Sequence, residues 1–468
     1  MIKPVFLWTD ILIFTMVAVV LVSAIYARNK AHLRAPWGQV VRSRMGMASL
    51  LVLLTYITIG VLDSVHFREP LPSEKAQQEL YYSSEVKSLL DLIMSPVGDQ
   101  QEKTYSAPFA AYAYAKETIQ LEDGSQVRLY PRLKYGGAHL NDPATELDDD
   151  VMRLSLLALF YGTMIWTALT AFVVALIAWR SGRGLGSTAI AIIKGQLEIP
   201  WRVTFITLAV IVLLITWCMT LAGHYHILGT DKVGQDVFYQ AVKSIRTGLA
   251  IGTLTTLVML PFAVMLGVAA GYLRGWVDDV VQYLYTTLNS IPGVLLIAAS
   301  VLMLQVYISN HPELFDTDAA RADLRLLFLC IILGVMSWTG LCRMLRGEAM
   351  KLREMDYIEA ATAFGVSRFK IITRHIMPNV MHIIMIAVVL DFSGLVLAEA
   401  VLSYVGVGVD PTMFSWGNMI NGARLEMARE PMVWWSLLAA FMFMFVLVLA
   451  ANLFSDAVRD AFDPRLRK

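Results

Sequence analysis

Charge is scarce in this sequence. Asp, Glu, Lys and Arg make up 16% of the 468 residues, against roughly 25% in soluble domains, so a core folded in water does not account for the composition. Basic and acidic residues balance at 38 each, and nothing in that balance suggests a nucleic-acid partner. Only three cysteines occur, Cys218, Cys330 and Cys342, all inside apolar runs. They read as small buried hydrophobes rather than as a disulfide framework or a metal site. No G-x-x-x-x-G-K-[ST] pattern is present, which excludes ATP binding by a P-loop. What the chain has in abundance is apolar surface: 57% hydrophobic residues and a mean hydropathy of +0.59. That is the composition of a polytopic membrane protein.

A spanning helix needs about 20 mostly apolar residues. Nine windows qualify: 6–27, 46–65, 154–179, 203–222, 249–273, 285–307, 325–345, 380–403 and 433–454. The first is too long for a signal-peptide core and has no small-residue cleavage site before the basic block that follows. It counts as a span. Residues 28–44, 180–202, 343–374 and the tail "RDAFDPRLRK" are all rich in Lys and Arg. Nine spans put these four segments on one side, the cytoplasmic one by the positive-inside rule. The N-terminus then lies outside and the C-terminus inside.

The largest polar segment, 68–152, holds eight Lys/Arg and fifteen Asp/Glu and belongs on the outer side. Within it "SEVKSLLDLIM" reads as a helix, and "ETIQLEDGSQVRLYPRL" as two strands about an Asp-Gly turn. The expectation is a small periplasmic α+β module that serves docking or assembly; a loosely ordered loop is the competing reading.

Residues 356–378, "DYIEAATAFGVSRFKIITRHIMP", form an amphipathic segment between two spans. Tyr357, Ala360, Ala361 and Phe364 recur at helical spacing as one apolar stripe, with Glu354 and Asp356 at the helix start where acids suit the dipole. Gly365 can close that helix in the left-handed conformation. Ser367 is a good N-cap for a second helix with Phe369, Ile372 and Ile376 along one side, which Pro378 should end. A compact helix–turn–helix follows, either docked on a partner or lying on lipid.

"EAATAFGVSRFKIITRHIMPN" resembles the EAA loop of ABC-importer permeases, with Glu359, Ala360, Ala361, Gly365 and Pro378 at that family's spacing. "LGTDKVGQDVF" (228–238), "GYLRGWVDDVVQYLYTTLNSIPGVLL" (271–296), "LSYVGVGVDPTMFSWGNMI" (402–420) and "DAVRDAFDPR" (456–465) are similar to stretches of the dipeptide and oligopeptide importers, in their C-type subunit. The resemblance covers about 203–468. It implies an all-α six-span permease core, here preceded by three extra spans: 1–67 with two spans and a basic loop, 68–152 the module, 153–202 the third span and a linker. It also implies a bacterial inner-membrane location and a partner set: a second permease forming a heterodimer, two cytoplasmic ATPases that dock on loop 354–378, and an extracytoplasmic binding protein. Such a subunit is no enzyme and needs no cofactor; peptides or related solutes would be its cargo. Gln235 stands where the family usually has Arg, which puts any ion pair of that Arg in doubt.

The remaining candidates are single residues. His224 and His226 lack a convincing third metal ligand, and "RSGRGLG" (180–186) opens no strand–loop–helix unit, so it reads as a solvated turn. Asp391 lies about 20 Å along its helix from Pro378 at 1.5 Å per residue. Intramembrane acids face a cavity or a partner helix, so Asp391 either lines the pathway or makes a structural hydrogen bond. Glu399, two turns further on, matches an acid the family often has, with a structural role favoured. An ion-coupled secondary transporter is the alternative function, and a membrane enzyme a third. The former would show paired broken helices in two related halves, the latter clustered acids and histidines at one depth; the sequence has neither.

Overall fold

The computed structural model describes residues 3–29, 31–70, 82–120, 126–314 and 317–462. Its helices in chain order are α1 (Trp8–Asn29), α2 (Ala31–Arg42), α3 (Arg44–Asp63), α4 (Leu89–Ile93), α5 (Ser95–Gly98), α6 (Pro143–Ser181), α7 (Leu185–Lys194), α8 (Trp201–Ala222) and α9 (Val237–Leu273). There follow α10 (Trp276–Ser290), α11 (Gly293–Asn310), α12 (Asp318–Arg353), α13 (Asp356–Ala363), α14 (Arg368–Ile371), α15 (Met377–Val405), α16 (Trp416–Glu426) and α17 (Trp435–Phe462). Among the described residues nine helices are long and apolar enough to cross a membrane, one in each expected window. The chain is an all-α polytopic membrane protein.

Several helices outrun their apolar windows because polar residues continue the helix beyond the lipid: α6 has 39 residues, α9 37 and α12 36. The window 285–307 is corrected in the other direction. It breaks at Ile291–Pro292, where Ile291 is extended. Proline clashes with a helical residue before it, so the spanning helix begins only at Gly293 and α10 is a separate amphipathic helix with Trp276 and Tyr283 exposed.

The closest helix pair is α9 with α12. Gly267 and Gly271 form a G-x-x-x-G pair on α9, and a Cβ at either would collide with the α12 backbone at Cys342 or Arg346. Small residues at this spacing let membrane helices approach to backbone contact. One core cluster on this pair runs through Met259, Val268, Leu341, Leu345, Val380 and Ile384.

The three extra spans are not appended at the rim. α3 packs against α8, α9 and α17, with Tyr56 in a second core cluster beside Ile245, Trp416, Trp435 and Leu447. α1 lies on α9 and α12, and α6 on α8. At one end of the bundle Val40 of α2 packs on Val458 and Ala461 of α17, and Arg42 pairs with Glu198 at 2.5 Å. Three of the four basic segments therefore meet at one end.

The polar segment sits at the other end. Strands β1 (Lys3–Val5), β2 (His66–Arg68) and β3 (Lys87–Ser88) pair antiparallel in that order, and β4 (Glu117–Gln120) pairs with β5 (Gln126–Leu129) in the hairpin expected from the sequence. Its turn, 121–125, lies outside the described residues. The helix expected over 84–94 is shorter. Lys87 and Ser88 are in a strand, and Ser88 and Asp91 then form a capping box at α4, which sets the helix start where the reciprocal bonds can form.

Candidate functional site

Loop 354–376 is anchored from beneath and open above. Ile358 on α13 is 1% exposed and packs with Ile371 and Ile376 into the α9–α12–α15 core. Ala361 lies partly buried beside them. Of the stripe drawn from sequence spacing, Tyr357, Ala360 and Phe364 point outward, Phe364 being 87% and Phe369 77% exposed, and only Ala361 turns partly inward. Spacing locates a helical face but not which side of it the chain buries. Glu359 is exposed.

The turn follows expectation at Gly365, whose φ is +74°. It departs from it afterwards. Ser367 takes the N-cap backbone conformation without a side-chain cap bond. α14 leads through a π turn, Ile372–Ile376, directly into α15, and Pro378 does not end the helix. The wider turn, with the Met377 N–H on the Ile372 carbonyl, absorbs the bond that Pro378 is unable to make. The loop therefore rides on a continuous 38-residue helix, Arg368–Val405.

Polar contacts fix its flanks. Arg346 of α12 holds Asp278 of α10 through Nε at 2.5 Å and Nη2 at 2.8 Å, and that hydrogen bonding keeps the Asp278 carboxyl below its ordinary range. Arg274 meets Glu354 at 2.6 Å. Asn379 Nδ2 donates to the Tyr357 hydroxyl at 3.2 Å and to the His375 carbonyl at 2.7 Å. Asn379 was missed at the sequence level, although it follows Pro378 directly. The arrangement offers no nucleophile or acid–base pair; it presents a rigid apolar surface.

The model of the family described as "Binding-protein-dependent transport system inner membrane component" matches residues 263–468. An oligopeptide transport system permease protein OppC of Mycobacterium bovis is 32% identical over 245 residues, 52% of this chain and 78% of the relative. A glutathione transport system permease protein GsiD of Pectobacterium atrosepticum is 31% identical over 244 residues, 52% and 73% respectively. The chain belongs to this family of inner-membrane permeases. A dipeptide transport system permease protein DppC of Bacillus subtilis adds a match of 29% over 243 residues, 52% of this chain and 70% of the relative. The secondary-transporter alternative falls with that membership.

Within the permease, Glu399 is buried and accepts the Ser403 hydroxyl at 2.7 Å, with Gly417 close against its Oε1. Asp391 is half-buried, and no hydrogen bond to it is found among the described residues. A pathway role for Asp391 would make its charge, and not only its shape, matter to transport. Asp391→Asn is expected to lower uptake nearly as far as Asp391→Leu, about tenfold, the equivalent of ~1.4 kcal/mol. Uptake at matched membrane levels is the measurement; wild-type activity of both variants would remove Asp391 from the pathway.

Two acids that the sequence reading did not single out are enclosed more fully by protein than Asp391. Asp10 of α1 and Asp323 of α12 are each 1% exposed and flank Arg246 of α9. All three fell at or outside the edges of the apolar windows, where charge is ordinary. The available signal was the spacing of Asp236, Tyr239, Lys243 and Arg246, a polar stripe on one helix face.

His226 lies buried between two carboxylates. Its Nδ1 is 2.8 Å from Asp236 Oδ2, and Glu102 Oε1 is 3.5 Å from Nε2, near enough for attraction though poorly aligned for a hydrogen bond. Burial pushes the ring's pKa down, yet Asp236 and Glu102 outweigh it and raise it from 6.5 to about 9. Burial pushes Glu102 up, but His226 and the N–H groups of Lys134, Tyr135 and Gly136 bring it from 4.5 to about 2. The His226 contribution is therefore complete below pH 6.5 and lost as pH rises through 9, while that of Glu102 is present above 4.5 and lost only towards pH 2. The Tm of the solubilised chain should fall between pH 6.5 and 9 by an amount worth about 1–3 kcal/mol. His226→Gln should flatten that slope; an unchanged slope would show that other groups carry it. Gln235 is uncharged and so replaces any ion pair with amide hydrogen bonding. Its side chain meets only Gln240, at 3.4 Å.

Proposed function

We propose that this permease forms one half of a translocation pathway for peptides or related solutes, and that loop 354–378 docks on a cytoplasmic ATPase. The observation that carries the docking is the exposed apolar set Tyr357, Ala360, Phe364 and Phe369 on a loop held rigid through Ile358 and Ile371. A soluble phase would not tolerate such a patch on a lone subunit, and a protein cleft that buries it gains about 25 cal/mol per Å² of apolar area. Cargo of this class is supported by the printed names of the relatives, which are permeases of oligopeptide, glutathione and dipeptide systems. A second permease as heterodimer partner, two ATPases and an extracytoplasmic binding protein complete the assembly, in membrane lipid. The basic end of the bundle faces the cytoplasm, with the N-terminus outside. ATP-driven closure of the ATPase pair moves the docked loops, and rocking of the two permeases alternates access. In this division 203–468 is the permease core, and 1–67, 68–152 and 153–202 precede it.

The test is chemical protection. Phe364→Cys in a background without Cys218, Cys330 and Cys342 should react readily with a thiol reagent in the permease alone. Coexpressed ATPase should slow that reaction about tenfold or more, as expected for a residue taken from exposed to buried. Equal labelling rates would overturn the docking and favour a loop lying on lipid.

A further inference from the structure

Asp236, the N-cap of α9, and Tyr239, Lys243 and Arg246 on its module-side half follow a spacing of three, four and three that keeps them to one side of the helix. Three of them are met directly by residues 1–202, and Asp236 is linked to that segment through His226. Asp236 binds His226, which faces Glu102. The Tyr239 hydroxyl donates to Asp91 at 2.7 Å. Lys243 lies 2.6 Å from Asp63 and 2.7 Å from Asp91. Arg246, 5% exposed, donates to Asp10 at 2.5 Å and to the Thr9 hydroxyl at 2.9 Å. Thr9 in turn binds Asp323 of α12, and His66 meets Asp10 at 2.7 Å. Three acids of the extension, Asp10, Asp63 and Asp91, thus meet one face of one helix, and a fourth, Glu102, reaches it through His226. Ionic contacts taken out of water are costly to break singly, so a joint made of several does not slide.

The other half of α9 keeps α12 as a neighbour but exchanges the rest of its partners. From Met259 onward its buried residues belong to the cluster that holds Gly267, Gly271, α12 and the loop anchors Ile358 and Ile371. Among the described residues none of 1–202 enters that cluster, whereas Ile13 of α1 still packs with Ala250, Ile251 and Leu254. Pro261 stands inside the helix at the start of the second region, two residues after Met259. It has no N–H for the Leu257 carbonyl, and helices bend at such positions.

We infer that Pro261 is a hinge between a half of α9 held still by residues 1–202 and a half that follows loop 354–378. The extension is a brace: Asp10, Asp63, Asp91 and Glu102 are positioning residues, and motion imposed at the loop is taken up at Pro261 instead of shifting the whole helix. This rests on the docking reading above.

The experiment uses the purified full-length permease with its ATPase partners and reads ATP hydrolysis, so no solute needs to be known. In a background without native cysteines, Gly60→Cys with Leu249→Cys places two thiols within disulfide reach across α3 and α9, since a Cβ at Gly60 lies 3.9 Å from Leu249 Cγ. Oxidation should leave hydrolysis within about twofold of the reduced sample, because the brace does not move. Pro261→Ala restores the missing bond and should lower hydrolysis about fivefold with the ATPase still bound. Hydrolysis that stops on oxidation and returns on reduction would show α9 sliding on α3 and overturn the brace. Wild-type hydrolysis by Pro261→Ala would overturn the hinge. ATPase recovery is measured in every sample: its loss from the unmodified chain counts against the docking reading instead, and its loss together with hydrolysis in a variant shows a merely structural role.

Discussion

Gly365→Val leaves the permease in the membrane but without its ATPase, and uptake is lost. Gly365 has φ +74°, a region that a β-branched residue strongly resists. There is no steric obstacle, since a Cβ there meets nothing within 4 Å. The cost is in the backbone alone, about 1–3 kcal/mol for a residue held in a sparsely populated region. The loop relieves it by opening the turn between α13 and α14. Opening moves Phe364 and Phe369 relative to each other, and a cleft that fits both no longer does. Nothing in the change touches the α9–α12 contact, so insertion and expression survive. Glu359→Lys is a companion: it alters no packing, since Glu359 is exposed, yet it reverses charge on the docking surface. On a lipid surface it would be neutral or favourable by about 1 kcal/mol. ATPase co-purification beside an insertion control separates these outcomes, and undiminished recovery and uptake with both substitutions would remove the docking assignment.

Truncation at residue 202 should prevent the remaining six-span core from accumulating. The core shares most of its length with relatives that the chain matches over about half of its own residues, which suggests at first that 203–468 stands alone. The polar stripe says otherwise. Without Asp10, Asp63, Asp91 and Glu102 the core keeps Lys243 and Arg246 with their carboxylate partners from 1–202 removed. Leaving one partner of a buried pair costs about 3–5 kcal/mol, and two such losses rival the 5–15 kcal/mol by which typical domains are stable. Deleting 74–148 alone removes Ser88, Asp91 and Glu102 and should produce an intermediate loss. Membrane levels and gel-filtration profiles of 203–468, expressed alone and together with 1–202, provide the test. Rescue by the separate fragment is expected. A monodisperse, active core without it would show that Arg246 and Lys243 find other partners.

The sequence by itself determined the membrane class, the nine spans, the hairpin at 117–129, the left-handed Gly365 and the family resemblance. Each rests on local patterns: the length of an apolar run, turn chemistry, or motif spacing. Charge near the ends of apolar runs looked ordinary, so Asp10, Arg246 and Asp323 passed unnoticed. Only tertiary structure decided that they meet, because the pairing joins residues more than 200 positions apart. It also decided that Tyr357 and Phe364 face outward while Ile358 faces in, since helical periodicity defines faces without saying which one a neighbour covers. Pro378 read as a helix stop because proline forfeits one bond; a π turn that other side chains support removes the penalty. Of the three extra spans, separable in sequence from the core, α1 and α3 became part of it through carboxylates that meet one face of α9, and α6 through its packing on α8.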